Sequence, residues 1–499
     1  MGFWLVTLVP LLGYLTTLAP GLTWAHDGVD GGDLAAAVHL LGIPHPPGYP
    51  TYVLLARAFT RLPFGSLAFR MNLFSALSAS LAVGLIYLAA RRLLRSNAAT
   101  PAESTLLAGV AALSLAFSPT LWSQAVITEV YALHAAFAAL VLLCLAQWEA
   151  ERRVVGPWPE LAVIAFGVGL GSHLTLLFVA PAALLVLARN GGLARSRWVQ
   201  LGLLALLGMG VYAYLPWRAR AWPPINWGNP QTLRGLWWHL SGGPYRHYVF
   251  GLPLSFVPAR LAAWASLLGQ QFGPFGLAAT LIGAWAAWQT NRRLAIALLI
   301  YYGLTVTYAV GYNTTDSYVY LIPSYLVCAL WLAMGLLWGR RNLWPDIWGQ
   351  RRWAVAASAT LLAILPGLSW NLNHRALNLR ADHAAQDYAV MTFLAVGPDA
   401  IVFADEDLHV FALWYYRYVE EPESGVTVLA EGLLNFPWYG ETLRRNGEVV
   451  SLPATPNLAD VVAANLANRP VYVTTPHPEL AGRFRLRQLH DGLYRVEPP

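Results

Sequence analysis

Between Asp27 and Pro50 the chain reads DGVDGGDLAAAVHLLGIPHPPGYP, three aspartates and two histidines enclosed by hydrophobic segments long enough to cross a bilayer. A polar stretch in that position points to chemistry at a membrane surface, provided that its surroundings are membrane spans. Composition says that they are. Of 499 residues 57% are hydrophobic and 12% charged, and mean hydropathy is +0.47, outside the ordinary range of a soluble enzyme. Apolar runs of about 17–25 residues match the hydrocarbon thickness at ~1.5 Å per residue. Such runs fall near 3–20, 71–93, 105–118, 126–148, 198–215, 267–288, 295–312, 319–338 and 352–369. The run from Leu161 to Leu187 is long for one span and is interrupted by Gly169, Gly171, Ser172 and His173. It reads as two short helices meeting inside the membrane, which brings the expectation to about eleven crossings of an α-helical, polytopic membrane protein.

Orientation follows from positive charge, because basic residues are retained in cytoplasmic loops. All 32 basic residues are arginine. Arg91, Arg92 and Arg95, then Arg152 and Arg153, Arg189, Arg195 and Arg197, Arg292 and Arg293, and Arg340, Arg341, Arg351 and Arg352 fall in alternate short loops. Those loops are expected in the cytoplasm together with the N-terminus. The acidic first loop (about 21–66), a long loop at about 216–262 and everything beyond about residue 370 then lie outside, as in a multi-pass protein of a bacterial plasma (inner) membrane. The net charge of +6 is a topology signal rather than one basic face, so nucleic acid is not an expected partner. The first segment lacks a basic n-region and reads as an uncleaved helix rather than a signal peptide. Cys144 and Cys328 lie in apolar spans and read as buried thiols.

Residues 1–370 form the expected transmembrane unit. From 371 to 499 charges and prolines return at soluble-protein frequency, so this segment is expected to be an extracytoplasmic α/β domain. Ala400–Ala404, Gly425–Leu429 and Val471–Thr474 read as short buried strands, Leu408–Val419 and Leu458–Ala467 as helices. Asp405, Glu406 and Asp407, directly after the first of these strands, read as a solvated loop or helix cap, with a site at a strand's carboxyl edge as the alternative.

In the first loop, glycines permit a tight turn, and Asp30 or Asp33 can cap the helix-forming run Leu34 to Leu41. Capping accounts for one aspartate. It leaves Asp27, Asp30 and Asp33 together in a loop whose sequel, His45-Pro46-Pro47-Gly48-Tyr49-Pro50, is stiffened by proline against the membrane face. Carboxylates at a partly desolvated interface are suited to accept a proton from an alcohol. A metal is conceivable, since carboxylates and His45 share the loop, but the spacing matches no established ligand pattern and no cofactor is expected.

The pattern D-x-G-D, an alanine-rich helix and H-P-P-G-Y-P resembles the membrane family that includes transmembrane protein 260, a protein O-mannosyltransferase. Trp122-Ser123-Gln124, followed by Glu129-Val130-Tyr131 and Leu133-His134, is similar to the same family's second motif. The resemblance covers about residues 20–190 with specific motifs and the later spans more loosely. More distantly, the acidic first external loop is similar to that of other C-superfamily glycosyltransferases. The resemblance implies a polyprenyl-phosphate sugar donor, an inverting transfer and a first-loop aspartate as base. The family carries glutamate where Asp33 stands, which ties the base to Asp30 more firmly than to Asp33.

Such a transfer requires a cation for the phosphate leaving group, and Arg218, in Tyr214-Leu215-Pro216-Trp217-Arg218 at the outer end of a span, is the candidate; the alternative is an interfacial arginine beside an aromatic belt. Glu129 is an ionisable group at the membrane and a third candidate for catalysis. His45, His173 and Asp316 are candidates for donor or substrate binding, and Asn226-Trp227-Gly228 and Gly242-Gly243-Pro244-Tyr245 for aromatic contact with sugar or acceptor. The expected partners are a polyprenyl-phosphate sugar, with mannose or another hexose, a protein, lipid or glycan acceptor, and membrane lipid. A transporter or flippase of a lipid-linked substrate is the competing class, and an inactive scaffold the third. Transporters place ionisable groups near the midplane and commonly show inverted repeats. Here the acids gather in one external loop and no repeat is evident, which favours the enzyme.

Overall fold

A computed structural model describes residues 1–150, 156–188, 193–343, 364–453 and 457–499. Among these, Leu67–Ser96, Tyr131–Ala150, Arg195–Ala219, Arg292–Gly311 and Ser317–Leu343 are long and apolar enough to cross a membrane. Pro101–Ala116 and Pro119–Ala125, bent by 66° at their junction, make a sixth if they count as one span. Five or six of the about eleven expected crossings meet this criterion among the described residues, and several other apolar runs are short or broken. Gly2–Leu15 has 14 residues, and Val257–Thr290 is kinked at Gly273, whose φ is 65°. The 161–187 run is indeed split, into Trp158–Leu170 and Leu174–Leu187. The expected span at 352–369 falls largely outside the described residues, as do Arg152, Arg153, Arg189, Arg351 and Arg352.

The bundle packs around Leu67–Ser96, whose first turn is capped by the Ser66 hydroxyl accepting from Phe69 N–H at 3.1 Å. Alanine, serine and glycine dominate its buried face, and small side chains let neighbouring helices approach closely where lipid provides no hydrophobic drive. The tightest approach joins Val257–Thr290 to Ile322–Leu343. A Cβ on Gly283 would lie 1.7 Å from the Trp331 carbonyl oxygen, and one on Gly335 1.8 Å from that of Ala279. Only glycine fits at that crossing.

Basic loops gather at one end of the bundle. Arg340 pairs with the buried Glu103 at 2.5 Å, Arg341 donates to the Asn97 carbonyl at 2.7 Å, and Asn291 donates to Glu149 at 2.9 Å. The acidic first loop lies at the other end, against the C-terminal segment.

That segment carries a five-stranded sheet ordered β2-β1-β3-β5-β4. β1 (Ile401–Ala404) lies between β2 (Thr427–Ala430) and β3 (Val471–Val473), parallel to both, while β5 (Leu493–Glu497) runs antiparallel to β3 and to β4 (Arg485–His490). The three parallel strands are the fully buried, β-branched runs legible in the sequence. The hairpin of β4 and β5 was not foreseen. Its outer strand reads RLRQLH and is largely exposed, a charged edge of the kind that discourages further pairing and hides the alternation of a strand.

The sheet's first helix, Asp407–Tyr415, packs directly on the first-loop helix Gly31–Leu40. A Cβ on Gly32 would meet the Phe411 carbonyl oxygen at 2.1 Å, and Trp24 Nε1 donates to the Leu408 carbonyl at 3.2 Å. The C-terminal segment therefore roofs the acidic loop.

Candidate active site

Beneath that roof lies a cavity of about 420 Å³. Asp30, His45, His173 and Asp316, four of the sequence candidates, line it together. They arrive from the first loop, the break between Trp158–Leu170 and Leu174–Leu187, and the turn before Ser317–Leu321.

The first loop explains why its carboxylates face different ways. Asp30 occupies the N-cap position of Gly31–Leu40 but makes no capping bond, contrary to the capping expectation. Its Oδ2 instead lies 3.3 Å from His45 Nε2, and 35% of its side chain stays open. Asp33, one turn later, is fully buried. Its Oδ2 accepts from His45 N–H at 2.9 Å and meets His45 Nδ1 at 2.8 Å, while Oδ1 accepts from Trp227 Nε1 at 3.2 Å. His45 thus bridges a buried aspartate and a cavity-facing one. Burial opposes its charge, but Asp30, the hydrogen bond and charge of Asp33, and Glu129 outweigh burial and hold His45 at about 9. Burial pushes the Asp30 carboxyl up; His45 pulls it down, and Asp33 and Asp316 push it up again.

These signs predict a pH dependence. A histidine raised in the folded state contributes stability that is fully present below its unfolded value of about 6.5 and is lost as pH rises through about 9. Thermal unfolding of the parent should therefore fall to lower temperature between those limits, and His45→Gln should flatten that slope. An unchanged slope in the variant would remove the assigned charge from His45.

Asp33 and Glu129, which the sequence offered for catalysis, are not among the residues lining the cavity. Asp33 is a positioning residue for His45. Glu129 sits in the break before Tyr131–Ala150, 3% exposed, with Oε2 taking the Val130 N–H at 3.2 Å.

Arg218 also lies elsewhere. Its Nε donates to the Leu41 carbonyl at 2.7 Å and a terminal nitrogen to that of Leu40 at 3.3 Å; Arg57 donates to the carbonyls of Val38 and His39. Two guanidiniums therefore satisfy the end of the first-loop helix, where carbonyls lack intrahelical partners and the dipole favours cations. Arg218→Ala is expected to cost about 1 kcal/mol of stability and to leave donor affinity unchanged. Calorimetric unfolding and donor titration on one sample separate the two.

Trp227 is 6% exposed and packs against Phe411, Trp414 and Trp438 at 6.2, 6.2 and 6.3 Å between ring centres. It donates to Asp33 and is not among the residues lining the cavity. Tyr245 does line the cavity, and so does its neighbour Arg246, the one guanidinium among the described lining residues. Arg246 is exposed and, among the described residues, bonds the hydroxyl and carbonyl of Ser241. The sequence offered a weak signal for it, an arginine directly after Gly242-Gly243-Pro244-Tyr245.

Asp407 completes the acidic wall from the roof. Burial first, then Asp30, raises its carboxyl to about 6, with Asp33 and Asp405 adding to the rise and His45 opposing it. Seven tyrosines, Tyr49 and Tyr320 among them, supply most of the aromatic lining. At the floor, His173 Nδ1 lies 2.8 Å from the Thr175 hydroxyl and 3.3 Å from the Thr175 amide. The arrangement brings carboxylates, one guanidinium and a set of aromatic rings into one space.

Residues 30–193 match the Protein O-mannosyl-transferase TMEM260 N-terminal domain. The chain resembles the TMEM260 family. Protein O-mannosyl-transferase TMEM260 of Mus musculus is 27% identical over 85% of this chain and 62% of its own length. The Dictyostelium discoideum protein of that name is 22% identical over 89% and 60%. The chain thus spans about three fifths of the length of these TMEM260 relatives. In three dimensions, ArnT from Cupriavidus metallidurans, bound to undecaprenyl phosphate, superposes with a TM-score of 0.64 at 13% identity, over 99% of this chain and 97% of that one. The helical fold is shared with ArnT.

Proposed function

We propose that this chain is an integral-membrane glycosyltransferase that transfers a hexose, mannose foremost, from a polyprenyl-phosphate donor to an acceptor outside the cytoplasm. The observation that carries the reading is the Asp33–His45–Asp30 chain ending on the tyrosine-lined cavity, with Arg246 among the same lining residues. Two names support it: the TMEM260 relatives are called protein O-mannosyl-transferases, and ArnT is described with undecaprenyl phosphate bound.

In the proposed mechanism the His45 imidazolium, clamped by Asp33, holds one oxygen of Asp30. The second oxygen of Asp30 takes the proton from the acceptor hydroxyl as that oxygen attacks the anomeric carbon. The bond from that carbon to the phosphate oxygen breaks, and Arg246 stabilises the charge left on the polyprenyl phosphate. Attack opposite the leaving group inverts the anomeric configuration. The tyrosines, and the roof that excludes water, orient the sugar. No step is assigned to a metal.

The proposed location is a bacterial inner membrane, with the basic end in the cytoplasm and the cavity and residues 371–499 outside. Asp316 and His173 are assigned to substrate binding. Purified protein in nanodiscs, given radiolabelled polyprenyl-phosphate mannose or glucose and candidate acceptors, should transfer or release sugar. In proteoliposomes, movement of intact donor between leaflets with no cleavage would favour the flippase reading.

A further inference from the structure

A second group of ligand-type side chains lies outside the cavity. Asp405 directly follows β1, Glu431 directly follows β2, and His477 lies in the loop after β3. Because β2, β1 and β3 are neighbours and parallel, chain direction delivers all three residues to one edge of the sheet. That is the carboxyl edge, where open α/β sheets form their ligand crevices. The potential ligand atoms of Asp405, Glu431 and His477 all lie within 4.8 Å of one another. His477 Nε2 is 3.0 Å from Glu431 Oε2 and 3.8 Å from Asp405 Oδ2.

A solvated acidic cluster would explain less than is seen. The Glu431 side chain is only 8% exposed, and its Oε1 is buried without a hydrogen-bond partner among the described residues. Among the same residues neither carboxylate has an arginine within ion-pairing distance. Two acids crowded round one imidazole, with a buried oxygen unused, form a set short of positive charge.

We propose that Asp405, Glu431 and His477 bind a divalent first-row transition cation, Zn²⁺ or Mn²⁺. One imidazole nitrogen with carboxylate oxygens suits these ions better than Ca²⁺ or Mg²⁺, which take oxygen sets. The ion ties together the ends of three strands, and the partial exposure of Asp405 and His477, 38% and 24%, leaves room for water in the remaining positions. This site is independent of the transfer chemistry and stands or falls without it.

The test uses full-length protein purified without a polyhistidine tag, stripped with chelator and titrated with Zn²⁺ by calorimetry. One saturable equivalent is expected. Glu431→Gln and His477→Gln should each weaken it about tenfold or more, at least what disturbing a ligand's support costs elsewhere, while Glu441→Gln, in the surface helix Pro437–Arg445, should not. X-ray absorption of the zinc-loaded parent should show one imidazole among oxygen neighbours, and decides the matter even if a variant fails to fold. The absence of a saturable site, equal affinity in folded Glu431→Gln and His477→Gln, or a zinc environment lacking imidazole would overturn the proposal.

Discussion

Asp30→Asn should reduce sugar transfer by about 100-fold or more, the range associated with losing a positioned general base, while donor still binds. Asparagine keeps the size of the side chain and can still meet His45, so what is lost is proton acceptance together with one of the charges that hold His45 protonated. The expected signature is a lower kcat with KM for donor near that of the parent. Asp33→Asn should behave differently: it removes the buried counter-charge of His45 and should lower unfolding temperature as well as rate. Near-normal transfer by Asp30→Asn would move the base elsewhere, with Asp316 and Asp407 the remaining carboxylates on the cavity wall.

Arg246→Ala should weaken donor binding by roughly 10- to 100-fold, corresponding to about 1.5–3 kcal/mol for a hydrogen bond to a charged group. Arg246→Lys should recover part of it, because lysine keeps the charge but loses the planar fork. The deficit should shrink as ionic strength rises, since an exposed charge at the rim is screened. Donor titrations at two salt concentrations read all three effects. Equal donor affinity in the parent and both variants would leave the phosphate without its assigned cation.

How much was visible in the sequence depended on how local the determinant was. Asp30, Asp33 and His45 lie within one short loop, and their association could be read from spacing, although which aspartate would be buried could not. Asp33 differs from Asp30 only by one helical turn, and that turn points it at His45 N–H and Trp227 instead of the cavity. His173 and Asp316 were legible as polar interruptions of apolar runs. Arg246 and Asp407 were not, because they reach the cavity from distant parts of the chain. Asp407 was read as a loop or cap residue, and nothing local says that Asp407–Tyr415 lies on Gly31–Leu40. The close approach at Gly32 would have been the only hint.

Arg218 shows the opposite case. It was read from the sequence as a phosphate-binding cation or an interfacial anchor at the end of a span, and its guanidinium bonds the carbonyls of Leu40 and Leu41. Of the about eleven expected crossings, five or six are met by length and composition among the described residues. The break in the Leu161–Leu187 run was legible from Gly169, Gly171, Ser172 and His173, whereas the kink at Gly273 and the 66° bend between Pro101–Ala116 and Pro119–Ala125 were not. The parallel strands were visible as buried β-branched runs, whereas the β4–β5 hairpin, with arginines at alternate positions, carried no such pattern.

The central claim is that donor is cleaved in the cavity beneath the C-terminal roof. A polyprenyl-phosphate sugar bearing a photoreactive group beside the phosphate tests it directly, with labelled peptides identified by mass spectrometry. Label should fall on Tyr245–Val249 and on residues 312–320, and should diminish in Arg246→Ala. Label concentrated instead at the basic end of the bundle, around the smaller cavity lined by Leu93, Asn97, Glu149 and Asn291, would contradict the account.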